Sequence, residues 1–150
     1  MQYDGGMSRL GALGLLLGAF AFASEDAGVG AVLTVKVAVR SPSGKVACTL
    51  YAGPDGFPTD PRLGIQQRWC EIENGAATCR FDPIPAGTYA VACFHDENGN
   101  GTLDKNFLGI PKEGVCVSNN AKGSMGPPKY EAAKFNFAGT LTELSLQPRY

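Results

Sequence analysis

The sequence is poor in the residues on which several common chemistries depend. It has one histidine and no Cys-x-x-Cys pair, which argues against a zinc site, and it has no Gly-x-Ser-x-Gly hydrolase motif. Its 13 Lys and Arg residues face 14 Asp and Glu residues and form no basic stripe, which argues against binding nucleic acid through backbone charge. No apolar run reaches the roughly 20 residues of a membrane-spanning helix. These absences favour a binding or structural module.

The N-terminal segment has the pattern of a secretory signal peptide. An apolar run over residues 10–23 follows Arg9 and ends in Ala-Phe-Ala, the small-x-small sequence that signal peptidase accepts. The pattern predicts cleavage after Ala23, so that residues 1–23 are removed and residues 24–150 fold as one domain. A retained membrane anchor is the alternative, which the shortness of the run disfavours. We therefore expect a mature chain without a transmembrane segment, in the periplasm or outside the cell.

Glycine and proline are abundant, at 20 and 10 residues, and they divide the mature chain into short β-rich segments. Residues 32–40 alternate in polarity and, with residues 45–51, predict one hairpin. Asn74-Gly75 is the preferred pair for a two-residue turn and predicts a second hairpin. Residues 88–94 predict a central strand, and Ala138-Gly139 predicts the turn of a last hairpin. About seven mostly antiparallel strands with short turns predict an all-β fold, an antiparallel β-sandwich.

All five cysteines lie in the mature chain, where an oxidising compartment would permit disulfides. Counting outward from the predicted Asn-Gly turn places Cys70 opposite Cys79 in a non-hydrogen-bonded pair, with Cα atoms about 4.5 Å apart, within disulfide range. Cys48 and Cys93 both lie in central strands, and a disulfide between them is a second expectation, although the sequence does not establish which strands pair. The alternative is two buried free thiols that pack as small hydrophobic groups. Cys116 is left as the odd cysteine.

The most informative stretch is HDENGNGTLD, residues 95–104, which opens a long segment without a clear strand pattern that reaches about residue 129. Oxygen-bearing side chains occupy loop positions 1, 3, 5 and 9, a glycine occupies position 6, and position 7 offers a backbone carbonyl: Asp96, Asn98, Asn100, Asp104, Gly101 and Thr102. This is the first part of a calcium-binding loop, in which alternate residues of a tightly curled segment point the same way. Because calcium takes six to eight oxygen ligands, the stretch predicts a calcium site.

The loop departs from the calcium pattern at position 12, where Phe107 replaces the expected bidentate Glu. Glu113 is the candidate to fold back and complete the ligand shell. Few charged ligands predict weak affinity, about 10⁻⁴–10⁻³ M, which is compatible with a structural role in an exported protein. The alternative is a glycine-rich connector without an ion, whose Asp and Asn side chains cap their own turns. A third hypothesis is a hydrolase that uses His95 with Asp96, but the motifs offer it no nucleophile.

Several motifs downstream of residue 88 give the chain a family resemblance. They are Tyr-Ala-Val at 89–91, the His-Asp loop at 95–104, Gly-Ile-Pro-Lys-Glu-Gly at 109–114, Ser-Asn-Asn at 118–120 and Ala-Lys-Phe at 133–135. Over roughly residues 31–147 the chain resembles the exported bacterial family known as domain of unknown function 2141. The resemblance implies a small exported sandwich of immunoglobulin-like or transthyretin-like fold, and it implies no particular activity. Cys116 departs from the family pattern, which commonly has glycine at that place.

These observations predict an exported, non-enzymatic β-sandwich with one long ordered loop. In this hypothesis calcium orders the loop, which presents a surface to an envelope protein, a peptide or a glycan. The competing hypothesis is a purely structural or accessory module with no metal, whose loop is held by packing and disulfides. Calcium titration separates the two, because only the first predicts a melting temperature that depends on calcium.

Overall fold

A computed structural model describes residues 31–150 of the protein. The predicted signal peptide and its cleavage point lie outside the described residues. Within this range the chain forms nine strands, two 3₁₀ helices and one four-residue α-helix. None of the helices described here is long and apolar enough to cross a membrane. The predicted all-β class is therefore confirmed.

The nine strands form two sheets that share one hydrophobic core. The strands are β1 (Leu33–Ala38), β2 (Lys45–Tyr51), β3 (Gln66–Cys70), β4 (Ile72–Glu73), β5 (Ala76–Phe81), β6 (Gly87–Asp96), β7 (Val115–Val117), β8 (Phe135–Phe137) and β9 (Thr142–Leu146). The 3₁₀ helices are Pro61–Leu63 and Ser118–Asn120, and α1 is Tyr130–Ala133. One sheet has the order β4-β5-β1-β9, and the other has the order β3-β2-β6-β7 with β8 also paired to β6. Every strand pair is antiparallel except β1 with β9.

The main core lies between the sheets and is built from alternate residues of the strands. In β1, Leu33, Val35 and Val37 are fully buried, whereas the residues between them are partly or fully exposed. A second, smaller cluster covers the other face of β2 and β6 and consists of Tyr51, Ala90, Val117, Tyr130 and Ala133. Six of the seven β2 residues are buried rather than every other one, and this second cluster accounts for the burial of Tyr51.

The predicted hairpin between residues 32–40 and 45–51 is wrong in its pairing, although both strands form. β1 pairs with β5 and β9, whereas β2 pairs with β3 and β6 in the other sheet. The six residues 39–44 are enough to cross the roughly 10 Å between packed sheets. The hairpin predicted at Ala138-Gly139 is wrong for the same reason, because β8 pairs with β6 and β9 pairs with β1. Alternating burial predicts a strand but not its sheet, because both sheets bury the same core.

The hairpin at Asn74-Gly75 is confirmed at its turn and in its first two residue pairs, whereas the predicted continuation of the ladder to Cys70 opposite Cys79 is wrong. Ile72 lies opposite Ala77, and the next pair flanks the turn directly. Asn74 and Gly75 have φ angles of 51° and 78°, which is the conformation that a two-residue turn of this kind requires. The ladder ends after these two pairs, because β3, which precedes β4 in the chain, pairs with β2 in the other sheet.

The two predicted cysteine pairs are both present as disulfides. Cys70 and Cys79 have Cα atoms 5.6 Å apart, but they lie in different sheets, so this disulfide links the sheets and not two strands of one ladder. Cys48 and Cys93 lie directly opposite each other in β2 and β6, with Cα atoms 4.1 Å apart. Cys116 is a buried free thiol opposite Cys93 in β7, and burial raises its pKa to about 12. Three cysteines therefore lie side by side across three adjacent strands.

Candidate functional site

The candidate site lies where β6 ends and the chain leaves the sheet. Asp96 is the last residue of β6 and is 2% exposed. One of its carboxylate oxygens accepts a hydrogen bond from the Asn100 N–H at 3.2 Å, and the other accepts one from the Gly101 N–H at 2.9 Å. Gly101 has a φ of 81°, in the left-handed region that favours glycine, and this permits the reversal predicted at position 6. Asp96 therefore holds the loop against the end of the strand.

Two Asn side chains curl the next part of the loop. Asn98 Oδ1 accepts from the Asn100 N–H at 3.2 Å, and Asn100 Oδ1 accepts from the Thr102 N–H at 3.0 Å, so each side chain bonds to the backbone two residues further on. Asn98 Nδ2 donates to Asp104 at 2.6 Å, and Asn100 Nδ2 donates to both Asp104 oxygens at 3.0 and 3.1 Å. Three of the predicted ligands thus converge, while the Thr102 hydroxyl contacts Asn100 alone, at 3.3 Å.

Glu113 lies beside the loop, as predicted from the missing Glu at position 12. It is 6% exposed, and its two carboxylate oxygens accept from the Glu97 N–H at 3.0 Å and the Asp104 N–H at 3.1 Å. β7 begins two residues later and was missed in the sequence because it has only three residues. Gly114 precedes this strand, and a Cβ there would lie 2.5 Å from atoms of the Tyr150 ring. A side chain at position 114 would therefore have to displace the Tyr150 ring, which glycine leaves in place next to Glu113.

An open cavity of about 360 Å³ lies over these groups. It is lined by Glu97, Asn98, Asp104, Lys105, Lys112 and Glu113. Asp96, Asn100 and Thr102 do not line it, so the cavity gathers only three of the six predicted ligands. Across residues 31–150, no three His, Cys, Asp or Glu side chains are grouped closely enough to hold a metal ion by themselves. A cation at this place must also draw on amide and backbone oxygens, as calcium does.

His95 is fully buried, and its ring nitrogens form hydrogen bonds with residues other than Asp96. Its Nε2 lies 2.7 Å from the Ser43 carbonyl oxygen, which can only accept, so Nε2 carries a proton. In the neutral ring Nδ1 then accepts from the Tyr150 hydroxyl at 2.8 Å, and that hydroxyl oxygen accepts from the Arg40 N–H at 3.2 Å. Neighbouring residues of a strand point to opposite faces, which separates His95 from Asp96. Neither ring nitrogen of His95 therefore hydrogen-bonds to Asp96, the carboxylate that the hydrolase hypothesis names.

A second polar cluster, beside His95, was missed in the sequence. Arg40 Nε donates to Glu97 Oε1 at 2.7 Å, and the Arg40 guanidinium lies 4.0 Å from the centre of the Tyr150 ring. Glu97 Oε1 is also 3.7 Å from His95 Nδ1, and burial raises the pKa of Tyr150. Arg40 is separated from Glu97 by 57 positions and from Tyr150 by 110, so no local signal joins them.

The fold and the loop define a class of protein: a small all-β sandwich with two disulfides and one ordered loop rich in Asp and Asn. Among protein-family models, residues 35–145 match "Uncharacterized protein conserved in bacteria (DUF2141)". The match covers more than half of the chain, which therefore belongs to this family, and the resemblance carried by the motifs is confirmed. Comparisons with curated proteins and with solved structures gave no significant match. The transthyretin-like or immunoglobulin-like relationship stays a prediction.

Proposed function

We propose that this protein is a non-enzymatic binding or accessory module of the bacterial cell envelope, and that one weakly bound calcium ion orders its β6–β7 loop. The observation that carries the proposal is the convergence of the Asn98 and Asn100 side chains on the Asp104 carboxylate, with Glu113 beside it. The envelope location is supported by the signal-peptide pattern and by two disulfides, which persist in oxidising compartments.

The chemistry of these side chains suits a hard cation. Asn98 Oδ1 uses one lone pair for a backbone hydrogen bond and keeps the second, whereas Asn100 Oδ1 accepts from both the N–H and the hydroxyl of Thr102, which a cation would have to displace in part. The Asp104 carboxylate now receives only amide N–H groups, which a cation would replace. Asp96, Glu113 and the backbone carbonyl of Thr102 are the other oxygen groups in or beside the loop that could act as metal ligands. The set matches the preference of calcium for carboxylate, amide and carbonyl oxygens.

Charge around the cavity argues for weak binding. Lys105 and Lys112 line the same cavity as Glu97, Asp104 and Glu113 and oppose the approach of a cation. We therefore expect a dissociation constant of about 10⁻⁴–10⁻³ M, typical of extracellular calcium modules. Calcium in this range would stabilise the loop and would not act as a tight cofactor.

A purely structural module without a metal is the second candidate, and one observation favours it. Both Asp96 oxygens and both Glu113 oxygens already accept backbone N–H bonds. Four such charge-assisted bonds can hold the loop without an ion. The hydrolase hypothesis has no comparable support, because both ring nitrogens of His95 are engaged in structural hydrogen bonds.

The melting temperature of the protein purified after export, measured in EGTA and in rising calcium, separates the two candidates. At calcium ten times the dissociation constant, binding contributes about 1.4 kcal/mol to the free energy of unfolding. For a domain of this size we expect a rise in melting temperature of about 5 °C. Magnesium at equal ionic strength is the control for nonspecific salt effects, and we expect it to give a much smaller rise.

Two variants make this test specific to the loop. Asp104→Asn removes the central carboxylate and should abolish the calcium-dependent rise. Asp55→Asn makes the same change at an exposed turn outside the loop and should retain it. Identical melting of the native protein in EGTA and in calcium would exclude the ion and leave the structural module.

A further inference from the structure

The loop beyond the candidate site carries an exposed apolar tip. The tip is residues 105–112, KNFLGIPK, in which Phe107, Leu108 and Ile110 are 95%, 67% and 55% exposed. Single exposed apolar residues are ordinary on protein surfaces, but a contiguous group of large ones marks a surface for interaction. Long ordered loops are also the usual carriers of such surfaces.

The tip is ordered by its own hydrogen bonds. Asn106 Oδ1 accepts from the N–H groups of Leu108 and Ile110 at 2.9 and 3.0 Å. The Asn106 carbonyl accepts from Gly109 at 2.9 Å, and the Asn106 N–H donates to the Ile110 carbonyl at 2.9 Å. Four of the five N–H groups from Asn106 to Ile110 are thus satisfied inside the tip, and Pro111 has none. The apolar side chains are therefore presented on a preformed turn.

This arrangement suits a lipid surface. A segment that enters an apolar phase must satisfy its backbone polar groups internally, and the tip already does so for most of its donors. A peptide that binds a protein by strand addition would instead offer free backbone groups to its partner. Because the tip is already ordered, insertion loses little conformational entropy.

The tip itself carries only positive charge, which suits an anionic surface, although the carboxylates of Asp104 and Glu113 flank its two ends. Lys105 and Lys112 stand at its two ends and are exposed, and within residues 31–150 neither takes part in an ion pair. Lys105 pairs with Pro111 in an isolated β-bridge, so the two ends of the tip lie close together. No acidic residue occurs between the lysines. Lysines at the base of an apolar group place their ammonium groups at the level of lipid headgroups.

We propose that the tip inserts into the interface of an anionic phospholipid membrane. Phe107, Leu108 and Ile110 enter the boundary of the acyl chains, and Lys105 and Lys112 contact the headgroups. The inference rests on the proposed envelope location, but it does not require calcium, because the hydrogen bonds inside the tip are made by Asn106 without an ion.

Sedimentation with large vesicles tests the proposal, using phosphatidylglycerol with phosphatidylethanolamine against phosphatidylcholine alone. We expect the exported protein to bind the anionic vesicles. The double variant Phe107→Ser, Leu108→Ser should lower the partition coefficient by at least about tenfold, because it removes two apolar side chains from the interface. Lys105→Gln and Lys112→Gln should each lower it by about fivefold on anionic vesicles alone. Leu141→Ser is the matched control, because Leu141 is 80% exposed and lies outside the tip.

Three outcomes would overturn the proposal: no binding of the native protein to anionic vesicles, equal binding by the tip variant, or equal loss of binding in the Leu141 control. Self-association that the tip variant abolishes, without vesicle binding, would assign the tip to a second copy of the chain and would also overturn it. All measurements are made in EGTA and in calcium. Vesicle binding in EGTA together with calcium-independent melting would support the membrane tip and exclude the calcium ion. Calcium-dependent melting without vesicle binding would support the calcium ion and exclude the membrane tip.

Discussion

Glu113→Gln tests whether a buried carboxylate holds the loop in place. The native side chain is 6% exposed and accepts N–H bonds from Glu97 and Asp104. Gln has one acceptor oxygen, so one of these N–H groups loses its acceptor. The other N–H keeps an acceptor, but that acceptor is neutral instead of charged. A hydrogen bond to a charged group contributes about 1.5–3 kcal/mol, and an unsatisfied buried donor costs about 1–3 kcal/mol. We expect the free energy of unfolding to fall by about 2–4 kcal/mol.

Urea unfolding in EGTA measures this change without any contribution from calcium. With a urea m-value of about 2 kcal/mol/M, the midpoint should fall by about 1–2 M. Native-state hydrogen exchange should quicken at the Glu97 and Asp104 amides. Glu143→Gln makes the same substitution at an exposed position of β9 and should change stability by less than about 0.5 kcal/mol. If Glu113→Gln matches this control and the two amides exchange as before, the carboxylate does not hold the loop.

Two further predictions concern the row of cysteines. Burial raises the pKa of Cys116 from 9.0 to about 12, so its contribution to stability is complete below pH 9 and is lost as the pH rises toward 12. The free energy of unfolding should therefore fall less above pH 9 in Cys116→Ala than in the native protein. Buried Tyr51, whose pKa is also raised to about 12, contributes equally to the two proteins. If the free energy of unfolding falls equally steeply with pH in both, the burial argument is wrong. In Cys48→Ala, Cys93 should form a disulfide with Cys116, because the two lie opposite each other in β6 and β7 and opposite residues of antiparallel strands have Cα atoms about 4.5–5.5 Å apart. Peptide mapping after alkylation checks this, and recovery of both cysteines in alkylated form would show the prediction to be wrong.

The loop was predictable from the sequence to the extent that its contacts are local. Asp96, Asn98 and Asn100 bond to backbone groups two to five positions further along, and these bonds follow from Asx-turn chemistry and a glycine at position 6. The fold-back of Glu113 was expected from the missing ligand at position 12. The bonds of His95 to Ser43 and Tyr150 were not predictable, because they join residues 52 and 55 positions apart.

The disulfides show how a correct prediction can rest on an incomplete reason. Cys70 and Cys79 were paired by extending the hairpin ladder, and the disulfide does form. The ladder between β4 and β5 has only two residue pairs, because β3, which carries Cys70, pairs with β2 instead. The short separation along the chain kept the two cysteines close even though their strands belong to different sheets.

The sequence by itself determined the all-β class, the tight Asn74-Gly75 turn and the curled loop from Asp96 to Asp104. These features depend on side-chain alternation and on backbone conformations within a few residues, which the order of amino acids specifies directly. Only the tertiary structure decided which sheet each strand joins, that β9 runs parallel to β1, and that Cys116 lies beside Cys93. Two sheets that bury one core impose the same alternation on every strand, so pairing is settled by the packing of the whole domain.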